Sequence, residues 1–268
     1  MKNSNVLYLS HGGGPLPLLG DRHHDEMVAC LKDIAAKIPK PSAIIVISAH
    51  WEAQDVTITS GKNPELIYDY FDFPPESYEI EYPCAGEPAL AKQIEAALKK
   101  ASISPLLDES RGFDHGVFVP LKIMYPEADI PCVQISLLKG LSPSKHIAIG
   151  NALQNLDYDN LLVIGSGFSF HNMREFFTPA SEQSITQNAA FDEWLVETCC
   201  SAELTETERS NRLLNWEQAP HARFCHPREE HLLPLLPCYG LANAKCSEHF
   251  GLQILLKKTS MFLWSLAD

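Results

Sequence analysis

Short runs of β-branched and aliphatic residues alternate along the chain with longer segments whose apolar residues recur at helical spacing. Apolar runs of about five residues bounded by polar or turn-forming residues are typical of buried strands. They predict strands at residues 6–10, 43–48, 56–60, 131–137 and 160–165, and a later strand at residues 251–256 that lies at a sheet edge.

The segments between these runs predict helices. Two of them are marked by apolar residues three or four positions apart, namely Met27, Leu31, Ile34 and Ile38 in one and Leu90, Ile94 and Leu98 in the other. Pro88 and Pro143 stand where first-turn prolines belong, and Ser142 is a candidate N-cap for the second of these helices. A further helix is predicted at about residues 184–199.

The order of strands and helices predicts an α/β fold with a central mixed, largely parallel sheet flanked by helices. A chain of 268 residues fits one large α/β domain as well as two small ones. Because repeats and low-complexity runs are absent, we expect a single catalytic domain over residues 1–268. Its more irregular, helical part is expected after about residue 175.

Charge and apolar patterning exclude several classes of function. A net charge of −13 argues against nucleic-acid binding, which requires clustered Lys and Arg. The apolar stretch before residue 10 is too short for a signal peptide, and apolar runs elsewhere are far below membrane-spanning length. The eight cysteines have no C-x-x-C spacing, so reduced thiols in a cytoplasmic protein are expected.

Three histidines stand at or beyond the ends of predicted strands. His11 follows the first strand, His50 follows the second, and His171 lies just beyond the strand that ends near residue 165. Ligand sites of open α/β sheets gather outside the carboxyl ends of strands. One such histidine alone is more often structural, but three together predict a shared crevice.

His11 is followed by three glycines, a string that also occurs in the oxyanion loop of lipases. A lipase needs a nucleophile within G-x-S-x-G, and the chain has no such string. The nearest approach, Gly165-Ser166-Gly167, has the wrong spacing. The esterase interpretation is therefore rejected, and His11 and His50 are interpreted as metal ligands.

His115 and His171 lie in glycine-rich or polar loops. His115 follows Asp114 in a predicted tight loop, suited either to acid–base work and substrate binding or to a turn that Asp114 caps. His171 follows a Gly/Ser-rich segment and is either a metal ligand or a general base. The sequence alone does not decide between the two roles given for His115 or between the two given for His171.

The densest histidine cluster spans residues 220–234. Pro227 is a plausible first residue of a helix, which puts His231 one turn into it. We expect His231 to complete the metal set, His226 to face substrate or support a ligand, and His221 to take no part. The spacing of the cluster matches neither H-E-x-x-H nor a zinc finger. The remaining histidines have no supporting context and are expected at the surface: His23, His24, His146 and His249.

The motifs occur in an order that resembles one known family. They are Ser-His-Gly at residue 11, Ser-Ala-His-Trp at residue 50, Gly-Phe-Asp-His-Gly at residue 115, His171-Asn172, and His226-Pro227 through Glu230-His231-Leu232-Leu233-Pro234. The segments around Tyr68-Asp69-Tyr70, Tyr82-Pro83 and Met124-Tyr125-Pro126 are similar too. The chain resembles the class III extradiol ring-cleaving dioxygenases, in particular the DOPA-dioxygenase-type branch, over nearly its whole length.

The resemblance implies roles for the histidines. His11, His50 and His231 correspond to metal ligands, His171 to a base or an additional ligand, and His115 to a residue that faces substrate. It implies non-haem Fe(II), with Zn(II) as the alternative metal. The chain departs from the family in having three glycines after His11, where members often read His-Gly-Ser-Pro. It also offers a histidine where the usual iron site has a carboxylate.

The chemistry implied is the opening of a catechol ring by O₂. Adjacent hydroxyls chelate one metal, and removal of a phenolic proton needs a base such as imidazole, a role assigned to His171 with His115 orienting substrate. The partners are then a small aromatic substrate and O₂, and oligomeric state has no sequence signal. Two alternatives are a zinc-dependent hydrolase on the same histidines and a non-enzymatic binding protein, which would leave His115 and His171 superfluous.

Overall fold

A computed structural model describes residue 1 and residues 3–266 of the chain. Within this part of the chain, eight strands form one sheet. They are β1 Asn5–Ser10, β2 Ala43–Ala53, β3 Thr57–Thr59, β4 Leu106–Asp108, β5 Cys132–Leu138, β6 Leu161–Gly167, β7 Glu248–Ile254 and β8 Lys257–Ser265.

Helices connect the strands and cover both faces of the sheet. Those of the described residues are α1 Asp25–Lys37, α2 Pro88–Lys100, α3 His115–Met124, α4 Pro143–Leu153, α5 Met173–Phe176, α6 Glu182–Cys200, α7 Glu206–Leu214, α8 Ala222–Cys225 and α9 Leu235–Ala242. None of these helices is long and apolar enough to span a bilayer.

The strand order across the sheet is β4-β3-β5-β2-β6-β1-β8-β7. The central strands β5, β2, β6 and β1 run parallel to one another, whereas β8 and β7 add an antiparallel ribbon at one edge. The predicted α/β fold with a mixed, largely parallel sheet is thus confirmed. The predicted late strand lies at the edge, as β7.

Successive side chains of each strand point to opposite faces of the sheet, so that each face carries its own hydrophobic core. Val6 and Tyr8 of β1 face the core that is covered by α2, α4, α6 and α9, and Leu7 and Leu9 face the core beneath α1 and α3. All four side chains are fully buried. Because both faces are covered, the central strands are apolar throughout, which is why they are visible in the sequence.

Two local predictions are wrong. The helix expected to begin at Pro227 is absent: residues 226–234 form turns, and α9 begins at Leu235. The carbonyl oxygen of His231 accepts hydrogen bonds from Phe168 N (3.0 Å) and from the Tyr8 hydroxyl (2.9 Å), so it is committed to the sheet rather than to a helical turn. His115, expected in a loop, is the first residue of α3.

Candidate metal centre

Five histidines line one cavity of about 240 Å³ at the carboxyl ends of the adjacent strands β2, β6 and β1. His11 directly follows β1, His50 lies near the end of β2, and His171 follows β6. His115 starts α3, and His231 lies in the turns before α9. A larger cavity of about 760 Å³ lies elsewhere, along α2 and α4, and contains none of these histidines.

The backbone turn after His11 depends on glycine. The amide of His11 still donates to Gly167 O (3.1 Å), but Gly12 then turns away with φ of +83°. A Cβ atom at Gly12 would lie 2.7 Å from Pro17 and 2.8 Å from the ring of His24. Only glycine combines this φ with such a close approach, so the turn holds His11 at the sheet edge.

A second glycine brings the turn with His231 onto the sheet. Gly167, the last residue of β6, has no side chain between its Cα and the carbonyl group of His231. Any Cβ atom there would overlap that carbonyl oxygen. The hydrogen bonds from Phe168 N and Tyr8 therefore fix His231 directly above the ends of β6 and β1.

His11, His50 and His231 are close enough to share one metal ion. Their ligand atoms all lie within 4.8 Å of one another, and Nε2 of His50 lies 3.0 Å from Nε2 of His11. The ring centroid of His231 is 5.2 Å from that of His11 and 4.9 Å from that of His50. Structural and catalytic zinc and iron sites place imidazoles at comparable separations.

Burial keeps these three imidazoles neutral. Desolvation is the largest cause that lowers the pKa of each well below its usual value, and the neighbouring imidazoles lower the pKa further. For His50 the carboxylate of Asp69 acts in the opposite direction but does not prevail. A neutral imidazole is the form that binds a metal, because its second nitrogen carries a lone pair.

Hydrogen bonds assign the tautomer of His11. Ser166 Oγ donates to Gly116 O (2.5 Å), so it accepts from Nδ1–H of His11 at 3.0 Å. Nε2 of His11 then bears a lone pair directed at Nε2 of His50. The ionised carboxylate of Asp69, 3.6 Å from Nδ1 of His50, favours the single proton of neutral His50 on Nδ1, which leaves a lone pair on its Nε2 as well. Two lone pairs 3.0 Å apart repel each other unless a cation lies beside them. The donor set thus fits a divalent metal.

Two carboxylates hold the outer nitrogens of the cluster, as is usual around metal-binding histidines. Asp69 accepts from Nδ1 of His115 (2.8 Å) and lies 3.6 Å from Nδ1 of His50. Burial would raise the pKa of Asp69, but hydrogen bonds and charge from His115 outweigh it, so the pKa is lowered and the group is ionised.

Glu230 plays the same part on the opposite side. One carboxylate oxygen lies 2.9 Å from Nδ1 of His231 and 3.2 Å from Nδ1 of His171. The two imidazoles stack with centroids 3.4 Å apart and planes 14° apart. Burial would raise the pKa of Glu230, but the hydrogen bond from His171 helps to lower it instead. His171 thus lies beside His231, and the carboxylate of Glu230 holds Nδ1 of His171 in place.

Asp114 supports His50 instead of capping a turn. Its buried carboxylate accepts from Ser48 Oγ (2.7 Å) and Arg111 (3.2 Å) and contacts Gln134, and its side chain makes no cap bond to α3. Ser48 Oγ in turn accepts from the amide of His50 at 3.2 Å. Of the two alternatives left open for this loop, the one in which the Asp114 side chain caps the turn is therefore not observed.

Sequence reasoning missed Asp69, Glu230, Ser48 and Ser166 as parts of the site. Asp69 was noted only within a motif, and Glu230 only as a favourable acid for a helix that does not form. The one usable signal for the two carboxylates is the identity of their neighbours in the sequence. Glu230 directly precedes His231, and Asp69 lies between two tyrosines.

His226 is not brought to the cavity. It is fully buried between the rings of Phe191 and Trp216, and its Nε2 lies 2.9 Å from Ser169 O. Burial lowers the pKa of His226 to about 3, so it stays neutral. The predicted substrate-facing role has no structural basis, because the fold uses this side chain to pack α6 against the turns after α8.

Two of the expected surface histidines are buried. His24 donates from Nδ1 to Asp21 (2.9 Å) and accepts at Nε2 from Gly13 N (3.0 Å). His146 donates from Nδ1 to Ser142 O (2.7 Å) and accepts at Nε2 from Leu138 N (3.1 Å). His249 is half-buried beside Ser260, and His23 and His221 are exposed. The surface prediction for His24 and His146 is therefore wrong.

Comparison with known proteins agrees with the geometry. Residues 6–258 match the family described as the catalytic LigB subunit of aromatic ring-opening dioxygenase. The chain is 40% identical to "Dioxygenase tasH" of Hapsidospora irregularis over 89% of this chain and 78% of that one. It is 36% identical to "4,5-DOPA dioxygenase extradiol" of Portulaca grandiflora, over 77% and 74% of the two chains.

A solved structure extends the likeness to the fold. The crystal structure of uncharacterized protein JW3007 from Escherichia coli K12 superposes with a TM-score of 0.76 at 26% identity, covering 97% of this chain and 99% of that one. The resemblance to class III extradiol dioxygenases is confirmed, and members of the family are metal-dependent. The chain belongs to the LigB family of aromatic ring-opening dioxygenases, and it is a ring-cleaving dioxygenase.

Proposed function

We propose that the chain opens the ring of a catechol-type, DOPA-like aromatic with O₂, using Fe(II) held by His11, His50 and His231. One observation carries the proposal: three dry, neutral imidazoles converge where two further imidazoles line the same cavity. Zn(II) is the alternative metal, because imidazole suits both ions. The free state of all eight cysteines fits the cytoplasm as the place of this activity.

The donor set differs from the usual two histidines and one carboxylate of non-haem iron. Here the carboxylates of Asp69 and Glu230 hydrogen-bond to histidines of the cluster. Their negative charge strengthens the imidazoles as ligands through Nδ1. A divalent ion held by His11, His50 and His231 would supply the Lewis-acid and redox chemistry that the reaction of a catechol with O₂ requires.

His115 and His171 are assigned to the substrate. Asp69 holds Nδ1 of His115, which leaves Nε2 of that ring to bind a substrate oxygen. Glu230 holds Nδ1 of His171, which leaves Nε2 to take the second phenolic proton. Glu230 then stabilises the imidazolium that forms.

Apolar side chains complete the reaction chamber. Tyr70, Phe73, Phe168 and Phe176 line the cavity opposite the histidines. They exclude water, so a deprotonated catechol meets few competing proton donors. Exclusion of water also strengthens the interaction of Asp69 and Glu230 with the imidazoles.

The test is anaerobic reconstitution with Fe(II), followed by addition of O₂ and a catechol panel that includes DOPA. We expect uptake of one O₂ per catechol, with a yellow ring-opened product, and loss of both in His50→Ala. His23→Ala, an exposed histidine outside the cavity, is the control and should behave as wild type. If the iron-loaded protein consumes no O₂ with any catechol, the proposal is wrong and hydrolytic substrates of a zinc-loaded site are tested.

A further inference from the structure

The cavity has two chemically different ends. Its titratable lining groups, among the residues that the structure describes, are the five histidines at the sheet edge and Tyr70, whose hydroxyl donates to Ser77 O (2.5 Å). The opposite walls are glycine, aliphatic and aromatic, with Leu16, Phe73, Phe177 and Leu255 among them. At about 240 Å³ the cavity is smaller than the roughly 300–1,000 Å³ of sites that enclose a whole drug-sized ligand. A single ring therefore fills it, and a substituent on that ring reaches the mouth.

The mouth carries exposed apolar side chains. Met173 and Phe177, which line the cavity, are 53% and 82% exposed. These two side chains are here called the apolar rim. Phe71 and Leu256, the chain neighbours of the lining residues Tyr70 and Leu255, do not line the cavity themselves but are also strongly exposed, at 81% and 67%. Such clustering marks a binding surface.

No Lys or Arg of the described residues lines the cavity. The cations attached to nearby segments are engaged elsewhere. Lys257 lies 3.6 Å from Glu175, and Arg228 lies 2.6 Å from Glu52 and 3.3 Å from Glu230. A carboxylate on the substituent would therefore find no cationic partner there, and any part of it that the apolar rim covers would lose water without compensation.

We propose that the preferred substrate is a catechol bearing an uncharged, apolar substituent that packs on the apolar rim, rather than a catechol amino acid such as DOPA. This inference rests on the proposed ring opening of a catechol, and it replaces the DOPA-like substituent of that proposal with an apolar one. The apolar rim discriminates between substituents on the ring, whereas the histidines do not.

The first experiment separates binding from turnover. Equilibrium binding of 4-butylcatechol and of DOPA is measured on the Zn(II)-loaded protein without O₂, and kcat/KM is measured for both on the Fe(II)-loaded protein. We expect 4-butylcatechol to bind at least about tenfold more tightly, since each buried methylene contributes a few-fold or more. If 4-butylcatechol binds more tightly than DOPA but neither ring is opened, only the proposed function is contradicted. If DOPA binds as tightly as 4-butylcatechol or more tightly, only this inference is overturned.

Variants at the rim sharpen the test. Met173→Lys should weaken binding of 4-butylcatechol several-fold and tighten binding of DOPA through its carboxylate. Met173→Gln, of similar size and uncharged, should weaken the first without improving the second. Ile185→Lys adds the same charge at an exposed position of α6 outside the cavity and should change neither. If Met173→Lys and Ile185→Lys shift the two affinities equally, the rim does not select the substituent and the inference fails.

Discussion

His11 of the crevice and His146 of α4 are equally buried but differ in how their nitrogens are used. His146 has both nitrogens satisfied, one by Ser142 O and one by Leu138 N. His11 has Nδ1 satisfied by Ser166, whereas its Nε2 faces Nε2 of His50. Burial of an imidazole therefore indicates no function by itself. What distinguishes a ligand from a structural residue here is a second nitrogen that faces other imidazoles in a shared cavity.

The largest effect is expected from His11→Ala. Removing one of three converging lone pairs should lower metal affinity more than roughly 100-fold, beyond the range typical of outer partners. The metal-to-protein ratio after desalting, measured by elemental analysis, should fall close to zero while the circular dichroism spectrum stays native. Retention of wild-type metal content by this variant would remove His11 from the ligand set.

A smaller effect is expected from Glu230→Gln. The amide keeps the shape of the side chain but loses the charge that faces Nδ1 of both His231 and His171. We expect metal affinity to fall roughly 10–100-fold, measured by competition with a chelator. Glu229→Gln is the matched control, because Glu229 pairs with Arg223 instead. Equal losses in both variants would show that general charge, not contact with the imidazoles, matters.

His146→Leu should affect stability and leave the metal bound. The change leaves the amide of Leu138 without its partner inside the protein, which costs about 1–3 kcal/mol of unfolding free energy. Urea denaturation at pH 8 measures this loss, and metal content should equal that of wild type. A variant that loses metal as readily as His11→Ala would erase the distinction between the two kinds of histidine.

The smallest effect concerns pH. Burial lowers the pKa of His146 to about 4, below the roughly 6.5 of an unfolded chain, so the unfolded state binds the proton more readily. Unfolding free energy must then fall as pH drops from 6.5 toward 4, by about 1.4 kcal/mol at pH 5.5 for this group. His146→Leu should lack that part of the decline. A decline of the same size in the variant would assign it to other groups.

The sequence reveals those parts of the fold in which one physical signal dominates. The central strands are buried on both faces, so their apolar runs are unmistakable. Strand β8 is not predicted from the sequence, because it begins with Lys257 and Lys258, two charged residues that are expected at the solvated surface. Lys257 is in fact buried, with its ammonium 3.6 Å from Glu175 and 5.5 Å from the ring centre of Phe170. Only the tertiary structure supplies those partners.

The same limit applies to the site. His11 and His50 are predictable because each comes at the end of a strand whose direction is fixed by the sheet. Asp69 is not, since it lies in a long irregular segment where a polar residue reads as exposed. The position of His231 depends on a hydrogen bond between its carbonyl and β6, a contact across more than sixty residues that no local pattern encodes.

The place of β1 in the sheet has a consequence for how the protein is made. This strand leaves the ribosome before its partners β6 and β8, the latter of which ends at Ser265. At about 5–20 residues per second, roughly 10–50 s separate the two ends of that pairing. During this interval the apolar side chains of β1 lack their native cover, which favours chaperone contact. A metal ion thus meets its full set of ligands late in folding and cannot guide the early steps.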